Sequence, residues 1–178
     1  PKKFAEENYP RDKKTTASEP APVTACLFAS AATPSRHGLI INEVAWMGSA
    51  KSASDEWLEL KNISNEELNL AHWSLVDKNS DLTVIFPAGA KISPGGFFIL
   101  ERTNDDSLPH ITADLIYQGS LGNEGDGLRL FDASCQLVDE ALADPQWPAG
   151  SNEDKRTMER SPDFSWHDYQ GGADHGIA

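Results

Sequence analysis

The sequence predicts an all-β fold, an antiparallel sandwich built from short strands. Eight short apolar-rich segments lie between residues 39 and 142, and turn residues separate them. Apolar and polar residues alternate within several segments, whereas no stretch has the 3.6-residue period of an amphipathic helix. Thirteen glycines and eleven prolines in 178 residues are typical of a loop-rich β protein.

The predicted strands follow one another along the chain at 39–46, 56–62, 68–76, 82–86, 97–102, 114–117, 127–131 and 136–141. The segments 77–81 and 132–135 each predict a hairpin loop, and Pro94 followed by two glycines predicts a turn. The alternation places Leu58 and Leu60 on the buried face of one strand.

The predicted core consists of large apolar residues from all of these strands. Its principal members are Trp57, Leu60, Leu70, Trp73, Leu75, Leu100, Leu128 and Leu130.

The predicted domain covers residues 39–162, with the sandwich at 39–142 and a closing segment at 147–160. Residues 1–38 are rich in Pro, Ser, Thr and Ala and predict a flexible linker, with a cleaved signal peptide as the alternative. Residues 163–178 are expected to be a tail. Cys26 falls in the linker and Cys135 in a turn, so we expect two free thiols and no disulfide. Because the chain begins at Pro1, we expect it to be part of a longer protein.

The chain is acidic, with 28 Asp and Glu against 15 Lys and Arg, and its formal net charge is −13. Within residues 39–142 the acidic residues outnumber the basic ones by 17 to 6. A duplex-binding protein normally carries a basic surface that displaces counterions from phosphates. The charge therefore argues against duplex nucleic acid as a partner, and no apolar run is long enough for a membrane span.

An ordered set of motifs resembles the lamin tail domain family. The set comprises Asn42-Glu43; Asp55, Glu59, Leu60 and Asn62; Leu70, Trp73 and Leu75; Pro94-Gly95-Gly96; and Gly125, Leu128 and Leu130. The resemblance covers residues 39–142 and implies an immunoglobulin-like β-sandwich. The sequence departs from the pattern at Ala71-His72 and at Cys135, where the family usually has glycine.

The stretch from Trp147 to Trp166 resembles an extension of bacterial members, which are appended to secreted or envelope proteins, often hydrolases. The sequence has neither the heptad-repeat rod nor the prenylation motif of a nuclear lamin. The resemblance implies a bacterial module of extracellular or cell-envelope location.

Few residues predict chemistry. Asp77, Asn79 and Asp81 alternate as at the start of a calcium loop, but Leu82 stands where that loop needs glycine. We therefore expect no cofactor or metal, with calcium as the open alternative. Glu43 and Glu59 form a carboxylate pair on adjacent strands, the minimum for glycosidase chemistry. We favour a structural role, in which they accept hydrogen bonds from loop backbones.

The sequence leaves three functional hypotheses. The first is a non-catalytic, monomeric interaction module that binds a protein or the envelope surface, although no binding residues stand out. The second is a nucleic-acid-docking accessory of an extracellular nuclease. The third is a metal-dependent hydrolase, which would need convergent histidines and carboxylates that the sequence does not align.

Overall fold

A computed structural model of the chain describes residues 24–29 and 33–171, and this part contains strands and turns but no helix. The all-β prediction is confirmed. The twelve strands of the described part are β1 Leu39–Ala45, β2 Trp57–Asn62, β3 Leu68–Asn69, β4 Ser74–Asp77, β5 Thr83–Ile85, β6 Lys91–Ile92, β7 Phe97–Arg102, β8 Leu115–Tyr117, β9 Gly127–Phe131, β10 Leu137–Leu142, β11 Met158–Arg160 and β12 Trp166–Asp168.

The strands form two main sheets. The six-stranded sheet has the order β12-β11-β1-β2-β7-β8, and the four-stranded sheet has the order β10-β9-β4-β5. All neighbours are antiparallel except β7 and β8. The short pair β3-β6 forms a separate two-stranded sheet. The predicted hairpin loops at 77–81 and 132–135 join β4 to β5 and β9 to β10.

The main core combines apolar side chains from both large sheets. Leu58 and Leu60 are fully buried, as the alternation predicted, and Phe86 packs edge-on against Phe98 with ring centroids 5.5 Å apart. Residues that the sequence placed in the core and that are completely buried are Leu60, Leu70, Leu75, Leu100, Leu128 and Leu130.

Two tryptophans of the predicted core differ from the expectation. Trp73, directly before β4, packs against the main core but is only partly buried, so its expected full burial is corrected. Trp57 is buried, but on the opposite side of the six-stranded sheet from Leu58 and Leu60. There it packs with Ile99 and Leu108 in a smaller cluster.

The N-terminal part of the described chain is not a linker. Cys26 is buried and forms a disulfide with Cys135, 109 residues away, so the expectation of two free thiols is wrong. Residues 24–29 cover Val76, Phe131 and Leu137 on the outer side of the four-stranded sheet. The predicted boundary at residue 39 therefore lies too late. Residues 1–23 and 30–32 lie outside the described part.

Residues 33–38 also belong to the folded unit. The amides of Ser35 and Arg36 donate to the carbonyls of Leu137 and Val138, at 3.1 and 2.7 Å, along the free edge of β10. A segment with little local strand propensity is thus held by main-chain hydrogen bonds to the sheet.

The C-terminal part of the described chain extends the six-stranded sheet. Trp147 stacks on Trp46 with centroids 6.3 Å apart, and Met158 is fully buried next to β1. Trp166–Asp168 forms β12 and pairs with β11. The expected tail therefore begins too early at residue 163. Residues 172–178 lie outside the described part.

A buried ion pair joins the two sheets. Arg160 on β11 donates to both carboxylate oxygens of Asp139 on β10, at 2.9 and 3.1 Å. Asp139 also accepts from the Ile41 amide at 2.9 Å and from the Arg36 side chain at 3.2 Å. The guanidinium further donates to the carbonyls of Ile41, Glu140 and Phe164. Each nitrogen of the guanidinium and each oxygen of the carboxylate therefore has at least one hydrogen-bond partner, which a buried pair requires.

Replacing Arg160 by Met should lower the free energy of unfolding by about 3–5 kcal/mol, because Asp139 then stays buried without its main partner. Chemical denaturation monitored by tryptophan fluorescence measures this change. Lys91→Met is the control, since its pair with Glu67 is exposed and should contribute less than about 1 kcal/mol. Equal effects of the two substitutions would contradict the role assigned to Arg160.

Candidate interaction surface

A row of glutamates crosses the outer face of the six-stranded sheet. The strand register pairs Glu43 on β1 with Glu159 on β11 on one side and with Glu59 on β2 on the other. His167 on β12 continues the row beyond Glu159, and its Nε2 lies 3.3 Å from Oε2 of Glu159. Ile99 on β7 ends the row beyond Glu59. Alternation in the strands thus brings three carboxyl groups to one line.

The two central carboxyl groups are shielded from solvent. Glu43 and Glu59 are 1% and 4% exposed. The Thr157 hydroxyl donates to Oε1 of Glu43, and the Asn42 amide donates to Oε1 of Glu59 at 2.6 Å. Both partners are therefore side chains, whereas we expected loop backbones. Oε2 of Glu43 is buried without a hydrogen-bond partner in the described structure.

Burial sets the protonation state of this pair. Together with smaller contributions from the nearby Glu59 and Glu159 charges, it raises the pKa of Glu43 to about 9, although the hydrogen bond from Thr157 lowers it. Burial also raises the pKa of Glu59 to about 7. Removal from water favours the neutral carboxyl form. Neither carboxyl is positioned to contact a substrate, so the geometry favours a structural role over glycosidase chemistry.

A groove of about 600 Å³ opens at one end of this face. Three loops form its walls, at 48–55, 106–111 and 153–157, while Ala45 of β1 and Trp57 of β2 line it from the sheet. The groove is therefore built where three separate parts of the chain meet.

Each wall is held by one carboxyl group. Ser49 donates to Asp55 at 2.5 Å within the first loop. Glu101 accepts the amides of Ser107 and Leu108, at 2.8 and 3.2 Å, in the second. Thr157 of the third loop donates to Glu43. The groove walls are thus positioned by hydrogen bonds in the unliganded chain.

The same face carries exposed apolar side chains. Phe97 on β7 is 49% exposed, and its side chain is on the opposite face of the sheet from the buried Phe98. Ile116 on β8 is 40% exposed and lies between Leu115 and Tyr117, which both contact the core. The Lys61 ammonium lies 5.1 Å from the centre of the Phe97 ring. Exposed large apolar side chains on one face are a feature of interaction sites.

The calcium candidates are not brought together as ligands. Asp77 is buried, and its Oδ1 accepts the Leu82 amide at 2.8 Å within the hairpin, whereas Asn79 and Asp81 are exposed. Across residues 24–29 and 33–171, no group of three or more His, Cys, Asp or Glu side chains is arranged to hold a metal ion. In the same ranges no helix is long and apolar enough to cross a membrane.

The two packed sheets and the apolar core between them define an immunoglobulin-like β-sandwich module. The family model of the lamin tail domain matches residues 32–143. The chain belongs to the lamin tail domain family, as its motifs indicated. No curated protein matches the chain.

The structure shows why the family usually has glycine at the two positions where this sequence departs from the pattern. His72 and Cys135 have φ values of 66° and 56°, in the left-handed region that favours glycine. The family match ends before β11 and β12, although these strands extend the same sheet. β11 supplies Glu159, and Thr157 directly precedes it. Part of the candidate surface is therefore built by residues outside the matched region. The sequence predicted a closing segment at 147–160, but not the surface.

The domain should lose stability as the pH rises from about 6 to 9. The folded pKa values of Glu59 and Glu43 lie above the unfolded value of 4.5. Their contribution is complete below that value and is lost as the pH rises through about 7 and about 9. In Glu59→Gln the melting temperature should fall less over this range than in the wild type, by roughly 3–6 °C. The reason is that glutamine mimics the neutral carboxyl and does not ionise.

Melting temperatures measured by calorimetry across this range test the prediction. Glu66→Gln is the matched control, since Glu66 is exposed and the substitution should leave the pH profile unchanged. A wild-type melting temperature that is constant or rises over the same range would contradict the prediction.

Proposed function

We propose that the chain is a non-catalytic interaction module of a larger secreted or envelope-associated bacterial protein. Its partner is a protein that docks on the outer face of the six-stranded sheet. Membership of the lamin tail domain family supports an interaction role. The observation that carries the proposal is the difference between the two outer sheet faces.

Part of the outer face of the four-stranded sheet is covered by the chain itself. Residues 24–29 pack on it, and the disulfide from Cys26 to Cys135 holds them there. The Arg129 guanidinium lies 4.6 Å from the Phe28 ring and adds a further contact. The outer face of the six-stranded sheet keeps Phe97 and Ile116 exposed and carries the groove at one end. This difference favours the six-stranded sheet as the docking face.

The disulfide supports the proposed location. Structural disulfides persist in oxidising compartments, such as the bacterial periplasm and the cell exterior, and are rare in the cytosol. The resemblance of the segment after Trp147 to bacterial extracellular members points the same way.

The surface chemistry favours a protein over a nucleic acid or a small substrate. Carboxylates predominate in the sandwich, and they repel a polyanion. The described titratable groups do not converge on a metal centre.

Phe97→Asp should abolish partner binding, because it places a charge where an apolar contact is needed. The domain is immobilised and incubated with the secreted and solubilised envelope proteins of the source organism, and retained proteins are quantified by mass spectrometry. Leu142→Asp is the matched control, because Leu142 is 38% exposed on β10 of the other sheet. We expect at least one protein to be retained by the wild-type and Leu142→Asp domains but not by the Phe97→Asp domain. If every protein is retained equally by all three, the proposal is overturned.

The domain should not bind duplex DNA, because too few cations are available to release phosphate counterions. Fluorescence anisotropy with labelled duplex at about 50 and 200 mM salt measures this. Micromolar binding that weakens steeply with salt would instead favour the nucleic-acid accessory hypothesis.

A further inference from the structure

The groove offers a chemistry different from that of the apolar patch around Phe97. We infer that it receives an extended peptide segment of the partner that carries a cationic side chain, arginine or lysine. This inference rests on the proposed function and names the chemistry of the segment that the partner inserts.

The charge of the groove favours a cation. Its lining carries four carboxyl groups, on Asp55, Asp106, Glu153 and Asp154, against the ammonium groups of Lys51 and Lys155. One of these cations is engaged by the protein, because Lys155 donates to the Met47 carbonyl at 3.3 Å and to Asn152 at 2.5 Å.

Two carboxylates of the groove are available to a ligand. The other two are engaged within the chain: Asp55 accepts a hydrogen bond from Ser49, and Asp154 accepts one from the Ser151 hydroxyl at 3.4 Å. Asp106 and Glu153 lie on different walls, and within the described chain neither forms a hydrogen bond or an ion pair. A cationic side chain between these walls would be attracted to both carboxylates.

A buried hydroxyl provides a second, independent indication of a ligand. Ser107 lines the groove and is only 4% exposed. Its Oγ lies near the Glu101 carboxylate but forms no well-directed hydrogen bond with any described group. A buried hydroxyl without a well-directed hydrogen bond is costly, and the main-chain carbonyl of a bound segment would accept its proton.

The remaining lining suits the apolar parts of a peptide. Ala45 and Leu108 belong to the small buried cluster around Trp57, and Ile111 packs against it, so this part of the lining is apolar. The groove volume of about 600 Å³ is that of an ordinary ligand pocket. An extended peptide offers carbonyl groups, apolar contacts and a cation together, whereas an anionic ligand would meet Asp106 and Glu153.

The test uses two acetylated and amidated hexapeptides with the sequence Ala-Leu-X-Ala-Ile-Ala, where X is arginine or its neutral isostere citrulline. The full chain, labelled with ¹⁵N, is titrated and followed by amide chemical shifts. We expect the arginine peptide to shift amides of the three groove loops, and the citrulline peptide to bind about tenfold more weakly. Added salt should weaken only the arginine peptide.

Variants assign the interaction to individual groups. Asp106→Asn combined with Glu153→Gln should remove the preference for arginine, and Ser107→Ala should weaken both peptides alike. Asp81→Asn is the control, because it removes one exposed charge on the hairpin loop between β4 and β5. Equal affinity for the two peptides, unchanged affinity in the double variant, shifts outside the groove, or no shifts with either peptide would each overturn the inference.

The peptide experiment and the partner-retention experiment can fail independently of each other. Phe97→Asp should leave peptide binding in the groove intact while abolishing retention of the partner. If the peptides fail and partner retention still depends on Phe97, only this inference fails. If no partner depends on Phe97, the proposed function fails whatever the peptides do.

Discussion

The pair of Asp139 and Arg160 is the interaction on which the arrangement of the two sheets depends. It joins β10 of one sheet to β11 of the other, and the same carboxylate accepts the Ile41 amide of β1. The register of β1 on β2 shifts between Ile41 and Glu43, and that of β10 on β9 shifts between Leu137 and Asp139. β1 and β10 are thus irregular next to the ion pair that joins the sheets, and irregularities of this kind bend strands.

The position of β11 determines the candidate surface. Arg160 holds this strand next to β1, and Glu159 thereby aligns with Glu43 in the carboxyl row. Thr157 lies just before β11 and connects the row to the third wall of the groove. A contact in the interior therefore positions residues on the surface, although Arg160 itself is buried beneath Trp166.

The disulfide and the carboxyl row give the two outer faces different properties. One face is closed by residues 24–29, which Cys26 fixes to the turn at Cys135. On the other face burial keeps Glu43 neutral at pH 7 and raises the pKa of Glu59 to about 7, so the centre of the carboxyl row carries less negative charge than exposed carboxylates would. Asp106 and Glu153 add negative charge at the groove.

The sequence by itself determined what depends on neighbouring residues. Alternation identified Leu58 and Leu60 as core residues, and turn residues located the hairpin loops, because strand period and turn geometry are local properties. The ordered motifs also indicated the family. Tertiary structure alone decided contacts between distant residues. Cys26 meets Cys135 across 109 positions, and no local pattern encodes such a pairing. Burial likewise makes Glu43 neutral, and the groove exists only because three separate loops meet.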